Sequence, residues 1–193
     1  MLELVTGTIQ KLTPTYAVVV TSGVGFYVNI SLNTCEKLRE NTETTLLLHE
    51  IIREDTFDLY GFIDENERTM FRLLISISGI GANTARVILS KMTPSELAEA
   101  IMSGNSAAIQ TIKGIGGKTA QRLVLELKDK VGFAEGESKI ISSQGNTLKI
   151  ESLSALVMLG YQKNAAEKVV DAIMQESVQH SVEDVVKLAL KRI

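Results

Sequence analysis

Hydrophobic positions change period at about residue 64. Before it, short runs rich in β-branched and aromatic residues recur: "LELVTGTI", "AVVV", "FYVNI", "TLLLHEII" and "LYGF". Phe26, Val28 and Ile30 alternate with polar or small neighbours, the period-two pattern of a half-buried strand. Thr13-Pro14 and Ser22-Gly23-Val24-Gly25 supply turn chemistry between runs. The stretch "LNTCEKLRE" reads as one short helix. Five or six short strands in so few residues predict a small closed barrel, because closure leaves no exposed sheet edge.

From Glu65 the period is helical. Phe71, Leu74, Ile75 and Ser78 fall on one face, with Met70, Leu73 and Ile77 beside them. Ala85, Ile88, Leu89 and Met92 form the next stripe. Thr93-Pro94-Ser95-Glu96 marks a helix start, with Thr93 as N-cap, Pro94 at the first helical position and Glu96 closing a capping box. Gly104 stands where a helix-terminating glycine belongs. Ala120, Leu123, Val124, Leu127 and Val131 give the last stripe. Four or five short helices are expected over residues 65–139. Residues 134–146 lose the apolar period and gain Gly, Ser and charge, which predicts a flexible linker containing the apolar pair Ile140-Ile141, with residues 140–146 separating the domains. Residues 147–193 pattern as three helices. Leu153, Leu156 and Val157 face the core in the first, which stops at Gly160. Asn164 and Glu167 form a capping box for the second, and Ser181 caps the third. The expected fold is α+β with three domains: a barrel (1–64), a helical domain (65–139) and, past the linker, a three-helix bundle (147–193).

Composition narrows the chemistry. The 193 residues are 45% hydrophobic and 22% charged, with 5% aromatics and no Trp, so the cores are aliphatic. No apolar run approaches the ~20 residues needed to cross a bilayer. The start shows no secretory signal, and Cys35 is the single cysteine, which together predict a cytoplasmic protein. His49 and His180 are far apart in sequence and, with one Cys, make no metal-ligand pattern. Residues 1–64 carry 4 basic against 9 acidic side chains, residues 65–139 carry 10 against 8, and residues 140–193 carry 6 against 6. The helical region is the one basic stretch, where an anionic partner would sit.

That region writes Gly-Ile-Gly twice, in "SGIGANTARVIL" and "KGIGGKTAQRLV". The latter copy has the form of the tail of a phosphate-binding loop. That motif, however, requires glycine where Ile112 stands and a strand before it. A dinucleotide loop fails too, since Thr119 replaces its third glycine. The remaining reading is a tandem helix–hairpin–helix. Gly79, Gly81, Gly114 and Gly116 make the bends, while Ile80 and Ile115 point inward and pin the helices. The bare N–H groups that open the helix after each bend then bind a phosphate oxygen. Lys118 and Arg122 lie in the first turns after the Gly114–Gly116 bend; Arg86 follows the Gly79–Gly81 bend at a different offset. Such contacts hold DNA without reading its sequence. The plainer reading, that each bend merely joins two helices, weakens when the bend occurs twice with the same trailing Thr-Ala.

These residues, with "REDTFDLYGF" (53–62), "ERTMFRLLISISGIG" (67–81), "KGIGGKTAQRLVLELKD" (113–129) and "ALVMLGY" (155–161), give a chain that resembles the RuvA family over its full length. That family comprises the Holliday-junction-binding subunits of bacterial branch migration. The resemblance implies an oligonucleotide-binding (OB-fold) barrel, a helix–hairpin–helix domain and a mobile ubiquitin-associated-like bundle that contacts the hexameric ATPase RuvB. It also implies the resolvase RuvC as a further partner, a homotetramer or an octamer on DNA, and no catalytic residue, metal or cofactor. Under it, Glu54 and Asp55 form an acidic pin that repels phosphates at the crossover; by themselves they read as a solvated turn. Leu159, Gly160 and Tyr161 become candidates for the ATPase contact. Asn83 stands where some members carry a basic residue. Two other classes compete. A helix–hairpin–helix glycosylase or nuclease would need a pocket and clustered acids, for which Asp129 and Glu54-Asp55 are poor material. A protein–protein adaptor would use the bends as structure alone.

Overall fold

The computed structural model describes residues 1–139, 144–176 and 181–192. They divide into two compact units, Met1–Gly132 and Phe133–Ile193.

In the first unit, β1 (Leu4–Leu12), β2 (Tyr16–Thr21), β3 (Val24–Asn29), β4 (Glu43–Ile52) and β5 (Phe57–Phe62) close into a barrel in the order β1-β2-β3-β5-β4. Every pairing is antiparallel except β3 with β5, which is parallel and short. Val5, Ile9, Ala17, Val19, Val28, Leu46, Leu48 and Leu59 fill the interior. Val28 and Ile30 are buried and Phe26 is half-buried, as the alternation requires. The "LNTCEKLRE" helix is α1 (Leu32–Lys37), capped by the Ser31 side chain, which accepts from the Thr34 N–H.

Five helices follow: α2 (Glu65–Ile75), α3 (Ala82–Lys91), α4 (Pro94–Met102), α5 (Ser106–Gln110) and α6 (Gly117–Lys139). The α4 start has the capping box its sequence announces. One position differs from the periodic reading. Helix α2 stops at Ile75, so Ser78 falls in the following turn and is exposed, while Ile77 turns inward. Phe71 joins the barrel to the helices. Fully buried, it places its ring 5.0 Å from those of Tyr60 and Phe62 and edge-on to His49 at 5.5 Å. Arg68 fastens the same helix from its polar side. It donates to the Glu3 and Leu48 carbonyls and pairs with the Glu3 and Glu65 carboxylates.

The second unit contains α7 (Gln144–Met158), α8 (Lys163–Glu176) and α9 (Val182–Leu190) around Leu156, Ala166, Val170, Ile173, Val185 and Ala189. Ser181 caps α9 and forms a capping box with Asp184. Asn164 does not cap α8. The helix already begins at Lys163, and the Gln162 carbonyl accepts from the Ala165 and Ala166 N–H groups, which leaves Asn164 inside the first turn. Val157, expected in the core, is exposed. Residues 134–139 and 144–146, read as linker, continue α6 and open α7. Losing an apolar stripe does not forbid a helix when Ala, Glu, Lys and Ser occupy it. Residues 140–143, with Ile140-Ile141, and His180 lie outside the described residues.

Candidate nucleic-acid interface

Both Gly-Ile-Gly segments fold into the same bend. After α2, the Ile77 N–H reaches the Leu74 carbonyl, and the Ile80 N–H reaches Ile77 at 3.0 Å. Gly79 between them has φ +93°, a left-handed conformation that a side chain would strain. Ile80 is buried in the helical core. Gly81 then takes φ −86° as the N-cap of α3, with no side chain capping the open N–H groups, and its carbonyl accepts from Ala85 at 2.9 Å. The other bend repeats each step. Ile115 N–H reaches Ile112 at 3.1 Å, Gly114 has φ +94°, Ile115 is buried, and the Gly116 carbonyl accepts from Ala120 at 2.9 Å. The four glycines are exposed, and a Cβ placed on any of them meets nothing within 4 Å. Each bend therefore presents the first N–H groups of a helix beside exposed glycines that add no side chain of their own. Those donors lack partners within the helix, and the positive end of its dipole adds to them, so the geometry suits an anionic oxygen.

The cations divide. Lys118 is exposed in the first turn of α6, beside the Gly116 bend. Lys113, which its sequence context did not single out, is exposed immediately before Gly114; a basic residue abutting the bend is the available signal. Arg122 is exposed and pairs along its own helix with Glu126 at 2.5 Å. Arg86 turns away from the bend and donates to the Thr15 carbonyl of the β1–β2 turn at 2.7 Å. Asn83, in the first turn of α3, accepts from the Tyr60 hydroxyl at 3.4 Å.

The candidate acidic pin is at the opposite kind of surface. Glu54 and Asp55 are exposed at the tip of the β4–β5 hairpin, which is closed by the Arg53 N–H donating to the Thr56 carbonyl at 2.8 Å. Ile52 and Phe57 pair across the strands just below and are exposed as well. In the second unit, Gly160 ends α7 at φ +96°. Leu159 is 59% exposed, whereas Tyr161 packs on its own core. Met158, 86% exposed, and Val157 enlarge the apolar surface beyond the residues singled out from sequence. Among the described residues no group of three or more acidic, Cys or His side chains is arranged to hold a metal ion, and no helix is long and apolar enough to cross a membrane.

A closed barrel followed by two matched glycine bends, each opening a helix, defines a tandem helix–hairpin–helix protein. Residues 71–129 match the family described as SAM-like helix-hairpin-helix tandem; residues 1–61 match the RuvA N-terminal domain and residues 151–193 the RuvA C-terminal domain. Proteins described as Holliday junction branch migration complex subunit RuvA match end to end, covering 100% of both chains. The one from Christiangramia forsetii is 45% identical over 193 residues, and those from Bacteroides thetaiotaomicron and Porphyromonas gingivalis are 44% and 40% identical. The chain belongs to the RuvA family.

Proposed function

We propose that this protein binds four-way DNA junctions by their shape, holds them open, and recruits a RuvB-type ATPase that drives branch migration in recombination and repair. The observation that carries the reading is the pair of matched bends with uncluttered, unobstructed helix starts, which bind phosphate whatever the base. A homotetramer suits the task, because fourfold symmetry presents the same bends to each of four arms; an octamer is two such faces on one junction. Within it the exposed carboxylates of Glu54 and Asp55 repel phosphates at the crossover and keep the strands apart. The apolar end of α7, from Val157 to Leu159, is the candidate contact for the motor, and a RuvC-type resolvase is the further partner. The protein acts in the cytoplasm and is non-catalytic, leaving ATP hydrolysis to its partner. Incubation with Mg²⁺ and junction, protein alone, leaves the DNA uncut on this reading; nicking would return the nuclease alternative.

The decisive experiment titrates a four-way junction against linear duplex of equal length. Junction preference without sequence preference is expected. Affinity should fall with salt at a log–log slope of about −0.9 per neutralised phosphate. Equal affinity for the two DNAs would refute structure selectivity, and no binding to either would leave the adaptor.

A further inference from the structure

We propose that Arg86 and Asn29 form a positioning relay that fixes the first phosphate-binding bend relative to the acidic hairpin, and so sets junction selectivity rather than DNA affinity. The inference rests on the function proposed above. Arg86 comes five positions after Gly81, whereas Arg122 comes six after Gly116. That one-residue offset accompanies different jobs. Arg122 stays on the surface of α6 with Glu126. The Arg86 guanidinium instead crosses to the barrel, donating to the Thr15 carbonyl at 2.7 Å and to Asn29 Oδ1 at 3.4 Å. Asn29 Nδ2 in turn donates to the Leu59 carbonyl at 3.1 Å. Leu59 is in β5, the strand that leaves the Glu54–Asp55 tip. The next residue of that strand, Tyr60, donates from its hydroxyl to Asn83, in the first turn of α3.

The far end of α3 is latched as well. Asn33 Nδ2 donates to the Leu89 and Met92 carbonyls, and the Leu32 N–H donates to Ser90 Oγ. One helix thus has its open start at the phosphate site and the rest of its length tied by polar bonds to the barrel, whose β5 leads from the repelling carboxylates. A duplex arm needs only the attracting bends. An opened junction needs attraction and repulsion at a fixed separation, so loosening the relay weakens the grip on a junction more than the grip on a duplex.

The test compares wild type, Arg86→Met, Arg86→Lys and Asn29→Ser on four-way junction and on equal-length duplex across a salt series, with thermal melts as the control for folding. The relay predicts duplex affinity and salt slope unchanged in every variant. Junction affinity falls about tenfold for Arg86→Met, in the lower range of coupling between separated sites. Arg86→Lys recovers part of it by reaching Thr15 alone. Asn29→Ser reproduces the selective loss without removing any charge, which keeps the idea testable if Arg86→Met folds poorly. Equal losses on both DNAs, with a slope shallower by about 0.9, would make Arg86 a phosphate contact and overturn the relay. Variants that prefer junctions as strongly as wild type would overturn it alone. A wild type without junction preference would overturn the proposed function and the relay together.

Discussion

The two glycines of each bend are required for different reasons, and single substitutions separate them. Gly79 and Gly114 have φ of +93° and +94°, so Gly79→Ala or Gly114→Ala strains the backbone and should cost about 1–2 kcal/mol of stability, read by urea denaturation. Gly81 has an ordinary φ of −86°, and a Cβ there touches nothing in the protein. Gly81→Ala and Gly116→Ala should therefore melt like wild type and yet bind junction more weakly, because the added methyl occupies the surface where phosphate must approach. Normal junction binding by a folded double variant would remove the bends from the interface. At the same scale, Glu67 is a buried carboxylate facing the Ser31 and Thr34 hydroxyls, and both donate to it. Burial raises its pKa above the usual carboxylate value in spite of those donors. A raised folded-state pKa means that stability is gained as pH falls through it toward the unfolded value. Wild type should accordingly gain on Glu67→Gln between pH 7 and about pH 4.5 in parallel denaturation curves; a constant difference would show that the carboxylate stays ionised throughout.

Among the elements, α2 and α3 carry the coupling between barrel and bends. Helix α2 is held by Phe71 on its apolar side and Arg68 on its polar side. Phe71→Ala leaves a cavity against Tyr60 and Phe62 and should cost about 3–5 kcal/mol, lowering the melting temperature of the first unit. Much of this level is legible in the sequence. The apolar periods of α3 and α6 name buried residues, Ala85, Ile88 and Leu89 in one and Ala120, Leu123, Leu127 and Val131 in the other, and Thr93 and Ser181 announce the starts of α4 and α9 because a cap is a local hydrogen bond. The departures share a cause. Ser78 keeps the helical period of α2 although a turn has already ended that helix. Asn164 has the chemistry of a cap, yet Gln162 supplies the first carbonyl. The polar end of α6 has the composition of a linker because the stripe that marks a helix also requires a core to face. Arg86 stands apart in sequence by its different offset from the bend, but only the fold shows its guanidinium on the carbonyl of Thr15, 71 residues away along the chain.

For the molecule as a whole, the units have separate apolar cores, the second built on Leu156, Val170 and Val185. Removing residues 147–193 should therefore leave junction affinity intact while abolishing stimulation of the ATPase, measured as branch migration on a mobile junction. Loss of junction binding on that deletion would contradict the division of labour. The charge division acts at this scale too. Replacing Glu54 and Asp55 with Gln and Asn removes repulsion from an otherwise unchanged hairpin, so junction binding should tighten and migration slow; no change in either would leave the acidic tip without a role.

What is local or periodic can be read along the chain: a strand period giving way to a helical one, the caps at Thr93 and Ser181, the twice-written bend with its glycines and inward isoleucines, and the segregation of acidic from basic residues. Each depends on neighbours within a few positions, where side-chain spacing and backbone sterics suffice. Folding in three dimensions selects which cations face outward, sets Phe71 against Tyr60 and Phe62, buries Glu67, and ties α3 to β5 through Asn29 and Arg86. Those outcomes depend on groups tens of residues apart meeting at hydrogen-bond distance, and no spacing rule along a chain encodes that separation.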